Sequence, residues 1–165
     1  MRRSDQRRDA VFACYQQEVT DRPLSTLLVD ARPFTKELVE GVEQHRSELD
    51  EVIAEFAKGW DLSRIAPLEK NIMRVALYEM NFREDVPAEV AIDEAVEMAK
   101  KYSGSEAPGF VNGILGAAAR AMEANGAVTV KAGPEADESG SEADESGSEA
   151  DEADEADEAA KADVI

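Results

Sequence analysis

The apolar positions of this chain recur every three or four residues, and no segment sustains the alternation expected of a half-buried strand. Between Ser4 and Val19, a stripe of Val11, Cys14, Tyr15 and Val19, widened by Phe12, predicts a first amphipathic helix. The series Phe34, Leu38, Val42, His45, Leu49, Val52, Phe56 then advances by steps of 4, 4, 3, 4, 3 and 4, which predicts one long helix. Pro67 suits a first helical turn, where its missing amide hydrogen costs nothing. Behind it Leu68, Ile72, Met73, Val75, Ala76, Leu77 and Met80 are apolar almost all round, the mark of a central helix buried on several sides. Asp85-Val86-Pro87 ends that helix and opens another, with Ile92, Ala95, Val96, Ala99 and Tyr102 inward and Asp93, Glu94, Glu97 and Lys100 outward. Ser103-Gly104-Ser105 reads as a loop with Ser105 as a cap, and the last helix runs to a stop at Asn125-Gly126. The fold class is all-α: five long helices with short pieces near Leu24 to Asp30 and Asp61 to Arg64.

One stretch conflicts with itself. In FVNGIL, residues 110 to 115, Asn112-Gly113 is a strong hairpin dipeptide, yet Phe110, Ile114, Ala117 or Ala118, and Ala121 keep helical spacing. Glycine costs a helix about 1 kcal/mol relative to alanine. The reading is a helix in which packing overrides the turn signal, with Gly113 against a neighbouring backbone and Asn112 hydrogen-bonded to it.

Charge divides the chain in two. Up to Asn125 there are 16 basic and 23 acidic residues, a net of −7, whereas from Gly126 onward there are 2 against 14, a net of −12. That second part repeats EADESGS at 135 to 141 and 142 to 148, then runs EADEADEADE without an aromatic residue. It cannot bury enough apolar surface to offset its ordering entropy, so residues 126–165 are expected to be a disordered acidic tail behind a folded domain of residues 1–125. The lone Cys14 excludes an internal disulfide and reads as a buried apolar residue. No signal-peptide core follows the basic start, and no stretch approaches the roughly 20 apolar residues of a membrane span, so a cytoplasmic location is expected.

Taken in order, RRDAVFACYQQE, ELVEGV at 37 to 42, LDEVI at 49 to 53, W-DLSRI at 60 to 65, IMRVALYEM at 72 to 80, VPAEVAIDEAVEMAKKY at 86 to 102 and FVNGIL carry a resemblance. Over about residues 7 to 120 the chain resembles the NusB family of bacterial transcription antitermination factors. The resemblance implies two small helical bundles, one amino-terminal and one carboxy-terminal. It also implies pairing with the ribosomal protein NusE, binding to boxA-like single-stranded RNA, notably of ribosomal RNA operons, and action within the RNA polymerase antitermination complex. By the same resemblance Glu106, Gly109 and Phe110, at the opening of the last helix, line an RNA groove, and Tyr78 and Glu79 contact NusE. Gly109 stands where some relatives carry a basic residue, and Asp5 and Asp9 dilute the nearby arginines, which implies weaker RNA binding or more dependence on NusE.

Arg2, Arg3, Arg7 and Arg8 crowd the amino end of the first helix, where cations oppose the helix dipole. Arg3 and Arg7 are four apart and share a face suited to successive phosphates. Tyr15, two turns beyond Arg7, is either a base-stacking ring or a core-edge tyrosine with its hydroxyl in water. His45 reads as a satisfied core histidine, and Trp60 as a bundle-closing aromatic with its indole hydrogen bonded. Phosphate-cradling, dinucleotide, metalloprotease and serine-hydrolase motifs are all missing from the sequence, so neither catalysis nor a cofactor is expected. The rival is a helical protein-interaction module that has lost RNA binding, favoured by the acidic balance. A domain of the kind fused to RNA methyltransferases is disfavoured, and a homodimer masking both faces stays open.

Overall fold

The computed structural model describes residues 2–125, and the acidic tail expected over 126–165 lies outside the described residues. Seven α-helices follow in order: α1 (Arg3–Thr20), α2 (Leu24–Leu27), α3 (Pro33–Gln44), α4 (Arg46–Phe56), α5 (Pro67–Phe82), α6 (Ala88–Tyr102) and α7 (Ala107–Asn125), with a 3-10 turn at Leu62–Arg64. No strand occurs among the described residues. Pro33 and Pro67 open α3 and α5, where no amide hydrogen is needed.

The expected central helix is α5. It packs against α1, α3, α4, α6 and α7, and Met73, Leu77 and Met80 have no exposed surface. Helices α1, α2 and α3 group on one side and α4, α6 and α7 on the other, with one continuous apolar core running through both. Cys14 sits in that core, where burial pushes its thiol up to about 12.

Four local expectations are corrected. The helix predicted from Phe34 to Phe56 breaks at His45, whose φ of −111° and ψ of 21° leave the helical region. The hydrophobic rhythm passes through unchanged because the amides of His45 and Leu49 still bond four residues back. His45 is only partly buried; its Nδ1 lies 2.7 Å from Glu48 Oε1 and its ring stacks on Phe82 at 4.0 Å. At α7, Ser105 stands in a turn and the helix starts at Ala107, with Glu106 the carbonyl that receives the Phe110 amide. Asn112 and Gly113 do lie within helix α7, so the turn signal is overridden, but both are partly exposed and Asn112 is not buried against a neighbouring backbone.

A close approach at a helical glycine does occur at Gly41. A Cβ on Gly41 would collide with the outer edge of the Tyr78 ring, including its hydroxyl. Gly41 is therefore what lets α3 and α5 approach.

Several polar groups are buried in pairs. Glu18 accepts from Lys70 Nζ (2.9 Å), Arg74 Nη1 (2.8 Å) and Asn71 Nδ2 (3.1 Å). The other edge of Arg74 forks onto Asp50 at 2.7 and 3.0 Å, so one guanidinium ties α1, α4 and α5 together.

Candidate nucleic-acid interface

The arginines at the start of α1 divide into an outward and an inward set. Arg2 and Arg3 are exposed and Arg8 is partly exposed. Arg7 turns into the crossing of α1 with α5. There its Nε lies 2.9 and 2.8 Å from the two carboxylate oxygens of Glu79, and Nη1 is 4.0 Å from Glu94. Helical spacing puts Arg3 and Arg7 on one face, but burial separates them. The pair cannot grip successive phosphates as expected, because only Arg3 reaches solvent.

Each of these cations has an acidic partner. Arg2 Nε is 3.8 Å from Asp5, Arg3 Nη1 is 3.1 Å from Asp85, and Arg8 lies 3.3 Å from Asp5 and 3.2 Å from Asp9. Structure thus does supply a reason for cations at this helix end: acids on the same turn and from the loop after α5 offset the dipole cost. Exposed pairs of this kind are worth only about 0–1 kcal/mol, so their guanidinium edges exchange readily for other anions.

The structure adds an arginine that sequence reasoning missed. Arg83, at the end of α5, lies with its guanidinium carbon 5.1 Å from the centre of the Phe34 ring, and Arg3 approaches the same ring at 4.3 Å. Cations over an aromatic face are held by its quadrupole. Nothing in the local sequence joins residues 3, 34 and 83; only the α1–α3–α5 packing does.

The remaining candidates lie in two other places. Glu106 and Phe110 border a cleft of about 250 Å³ with Trp60, Arg64 and Glu69, while Gly109 is partly exposed on the same opening turns of α7. Phe110 is buried against Trp60, with ring centres 5.4 Å apart, so the ring as it stands is core. Among the described residues the buried indole Nε1 of Trp60 has no hydrogen-bond partner, contrary to expectation. Burial pushes the Glu69 carboxyl in this cleft upward. Tyr15 is partly exposed on α1.

Of the two residues expected to meet a protein partner, Tyr78 is partly exposed, resting on Gly41 and stacked on Phe82 at 5.3 Å. Glu79 is fully buried and engaged by Arg7, so it has no surface to offer; burial pushes its carboxyl up against the pull of that arginine. A helical wheel misses this because it assigns Glu79 to the polar side of α5, and the partner on that side is an inward arginine. No described helix is long and apolar enough to cross a membrane.

Comparison with known proteins agrees with this architecture. The model of the NusB family matches residues 4–120. The transcription antitermination protein NusB of Rubrobacter xylanophilus is 43% identical over 122 residues, covering 70% of this chain and 88% of the relative. Among solved structures, T. maritima NusB superposes with a TM-score of 0.64 at 33% identity, covering 70% of this chain and 88% of that one. A chain in a crystal structure described as a plectonemic RNA supercoil gives a TM-score of 0.66 at 28% identity, covering 71% and 94%. With more than half of its length matched by the family model and its helices arranged as in solved members, this chain belongs to the NusB family.

Proposed function

We propose that this chain is a non-enzymatic transcription antitermination factor of the cytoplasm. In this reading it binds boxA-like single-stranded RNA of nascent transcripts, notably from ribosomal RNA operons, together with NusE and within the RNA polymerase antitermination complex. The observation that carries the reading is the family match over residues 4–120, to which the relatives' shared name adds the process. The exposed guanidinium groups of Arg2, Arg3 and Arg8 support it, since their carboxylate partners are surface groups that phosphates can replace. Tyr15, Glu106 and Gly109 extend the RNA path, with the buried Phe110 supporting the opening turns of α7 beneath it, and Tyr78 belongs to the NusE contact. Residues 1–125 form the binding unit, and residues 126–165 act as a polyanionic tail that competes with RNA for the basic face.

A specific observation favours a second reading, an interaction module without RNA binding. All four amino-terminal arginines already hold carboxylates, and the body carries a net charge of −7. Fluorescence anisotropy with boxA-like and scrambled RNA, with and without NusE at stated salt, separates the two. Preference for the boxA-like strand in the presence of NusE supports antitermination. Equal and negligible binding of both strands leaves the interaction module, and size-exclusion chromatography then shows whether a homodimer masks the basic face.

A further inference from the structure

Arg3 and Arg83 come from opposite parts of the sequence and converge on one carboxylate. Arg83 donates from Nε to Asp85 Oδ1 at 3.1 Å and from Nη2 to Oδ2 at 3.0 Å, while Arg3 Nη1 lies 3.1 Å from the same Oδ2. Both guanidinium groups lie against the Phe34 ring, as does that of the buried Arg7 at 5.5 Å, and Glu37 fixes the far edge of Arg83 at 2.6 Å. Arg83 is thereby restrained, with 16% of its side chain exposed, whereas Arg3 and Asp85 are 48% and 50% exposed.

Two guanidinium groups placed this close repel each other unless an anion sits between them. A carboxylate that receives a fork from one arginine and a single bond from another presents the same acceptor edge as two oxygens of a phosphodiester. The Asp85 side chain is half exposed in the segment between α5 and α6, beside the buried Val86, so turning it outward exchanges its surface hydrogen bonds for hydration. Exchange of one monoanion for another leaves the local charge balanced.

We propose that Arg3 and Arg83 form a clamp for a backbone phosphate of RNA, and that Asp85 occupies this clamp when RNA is absent. RNA then binds by displacing an internal carboxylate, and Asp85 sets the threshold. This inference rests on the RNA-binding reading above and adds to it both a residue, Arg83, and a built-in competitor.

The test is a salt series of RNA anisotropy with the full-length chain and NusE, comparing wild type with Asp85→Asn, Glu84→Gln, Arg83→Ala and the Asp85→Asn, Arg83→Ala double variant. Circular dichroism verifies that each is folded. Asp85→Asn is expected to bind about two- to fivefold more tightly at low salt, the equivalent of one exposed ion pair. Glu84→Gln removes the same charge from the neighbouring exposed residue and is expected to gain clearly less. Arg83→Ala is expected to flatten the dependence of log affinity on log salt by about 0.7, the loss of one phosphate contact. The double variant should gain less over Arg83→Ala than Asp85→Asn gains over wild type, since only Arg3 is left for the carboxylate to hold. If wild type binds RNA but Asp85→Asn gains no more than Glu84→Gln, or Arg83→Ala keeps the wild-type slope, the clamp is overturned while RNA binding stands. A wild-type chain that binds no RNA overturns both.

Discussion

Arg7 and Glu79 face each other across the α1–α5 crossing, with two hydrogen bonds of 2.9 and 2.8 Å between side chains that are both buried. Removing one partner strands the other charge in the interior. Arg7→Met is therefore expected to cost about 3–5 kcal/mol in chemical denaturation, and Arg7→Met combined with Glu79→Leu should recover most of that loss. If Arg7→Met instead left stability unchanged, the pair would not be the tie between α1 and α5.

Two glycines in helices give opposite outcomes for the same substitution. A methyl group on Gly41 meets the Tyr78 ring, so Gly41→Ala should destabilise by about 1–3 kcal/mol as that ring is displaced. Gly116 is buried in α7 with nothing within 4 Å of where its Cβ would stand, so Gly116→Ala should stabilise by about 0.5–1 kcal/mol. Thermal melts of the two variants check both signs at once.

Acid should act on two carboxylates in opposite senses. Burial alone pushes the Glu18 carboxyl up, but hydrogen bonds from Lys70, Asn71 and Arg74 bring it below its ordinary value. Its contribution is present above the unfolded-state pKa and is lost as pH falls through the lowered folded-state value. Glu18→Gln should accordingly destabilise at neutral pH, by an amount that shrinks below the ordinary carboxylate range. The Glu69 carboxyl is raised by burial, so its contribution is present below the unfolded-state pKa and is lost as pH rises through the raised value. Glu69→Gln should therefore stabilise at neutral pH and gain little in acid. Urea denaturation across a pH series reads both, and parallel curves for the two variants would contradict the assignment.

The exposed arginines and the acidic tail make a paired prediction for RNA. Arg3→Ala should flatten the salt dependence by about 0.7, the value of one phosphate on a single strand. Tyr15→Ala should weaken binding by about 1–3 kcal/mol with little change in slope, because stacking is not ionic. Deleting the residues after Asn125 removes a net charge of −12 and should tighten RNA binding at low salt. That gain should fade as salt shortens the screening length, which is about 8 Å at physiological ionic strength. Anisotropy at several salt concentrations distinguishes the three, and an unchanged affinity after truncation would remove the tail from competition.

The sequence by itself determined the elements and the family. Hydrophobic spacing marks each long helix, and the all-round apolar run after Pro67 identifies α5 as the central one, because burial on every side requires apolar residues on every side. Composition, which limits how much surface a segment buries, carries the expectation that the acidic repeats stand apart from the packed body. Tertiary structure decided which charged residues are surface. Periodicity assigns Arg7 to the face of Arg3 and Glu79 to the polar side of α5, and cannot register that the two neutralise each other at a helix crossing. The break at His45 was equally silent, because a kink that keeps the hydrogen-bond phase leaves the hydrophobic rhythm intact. Gly41 against Tyr78, and Arg3 with Arg83 over Phe34, join residues distant in the chain. Such contacts depend on how helices cross, and a linear pattern carries no information about crossings.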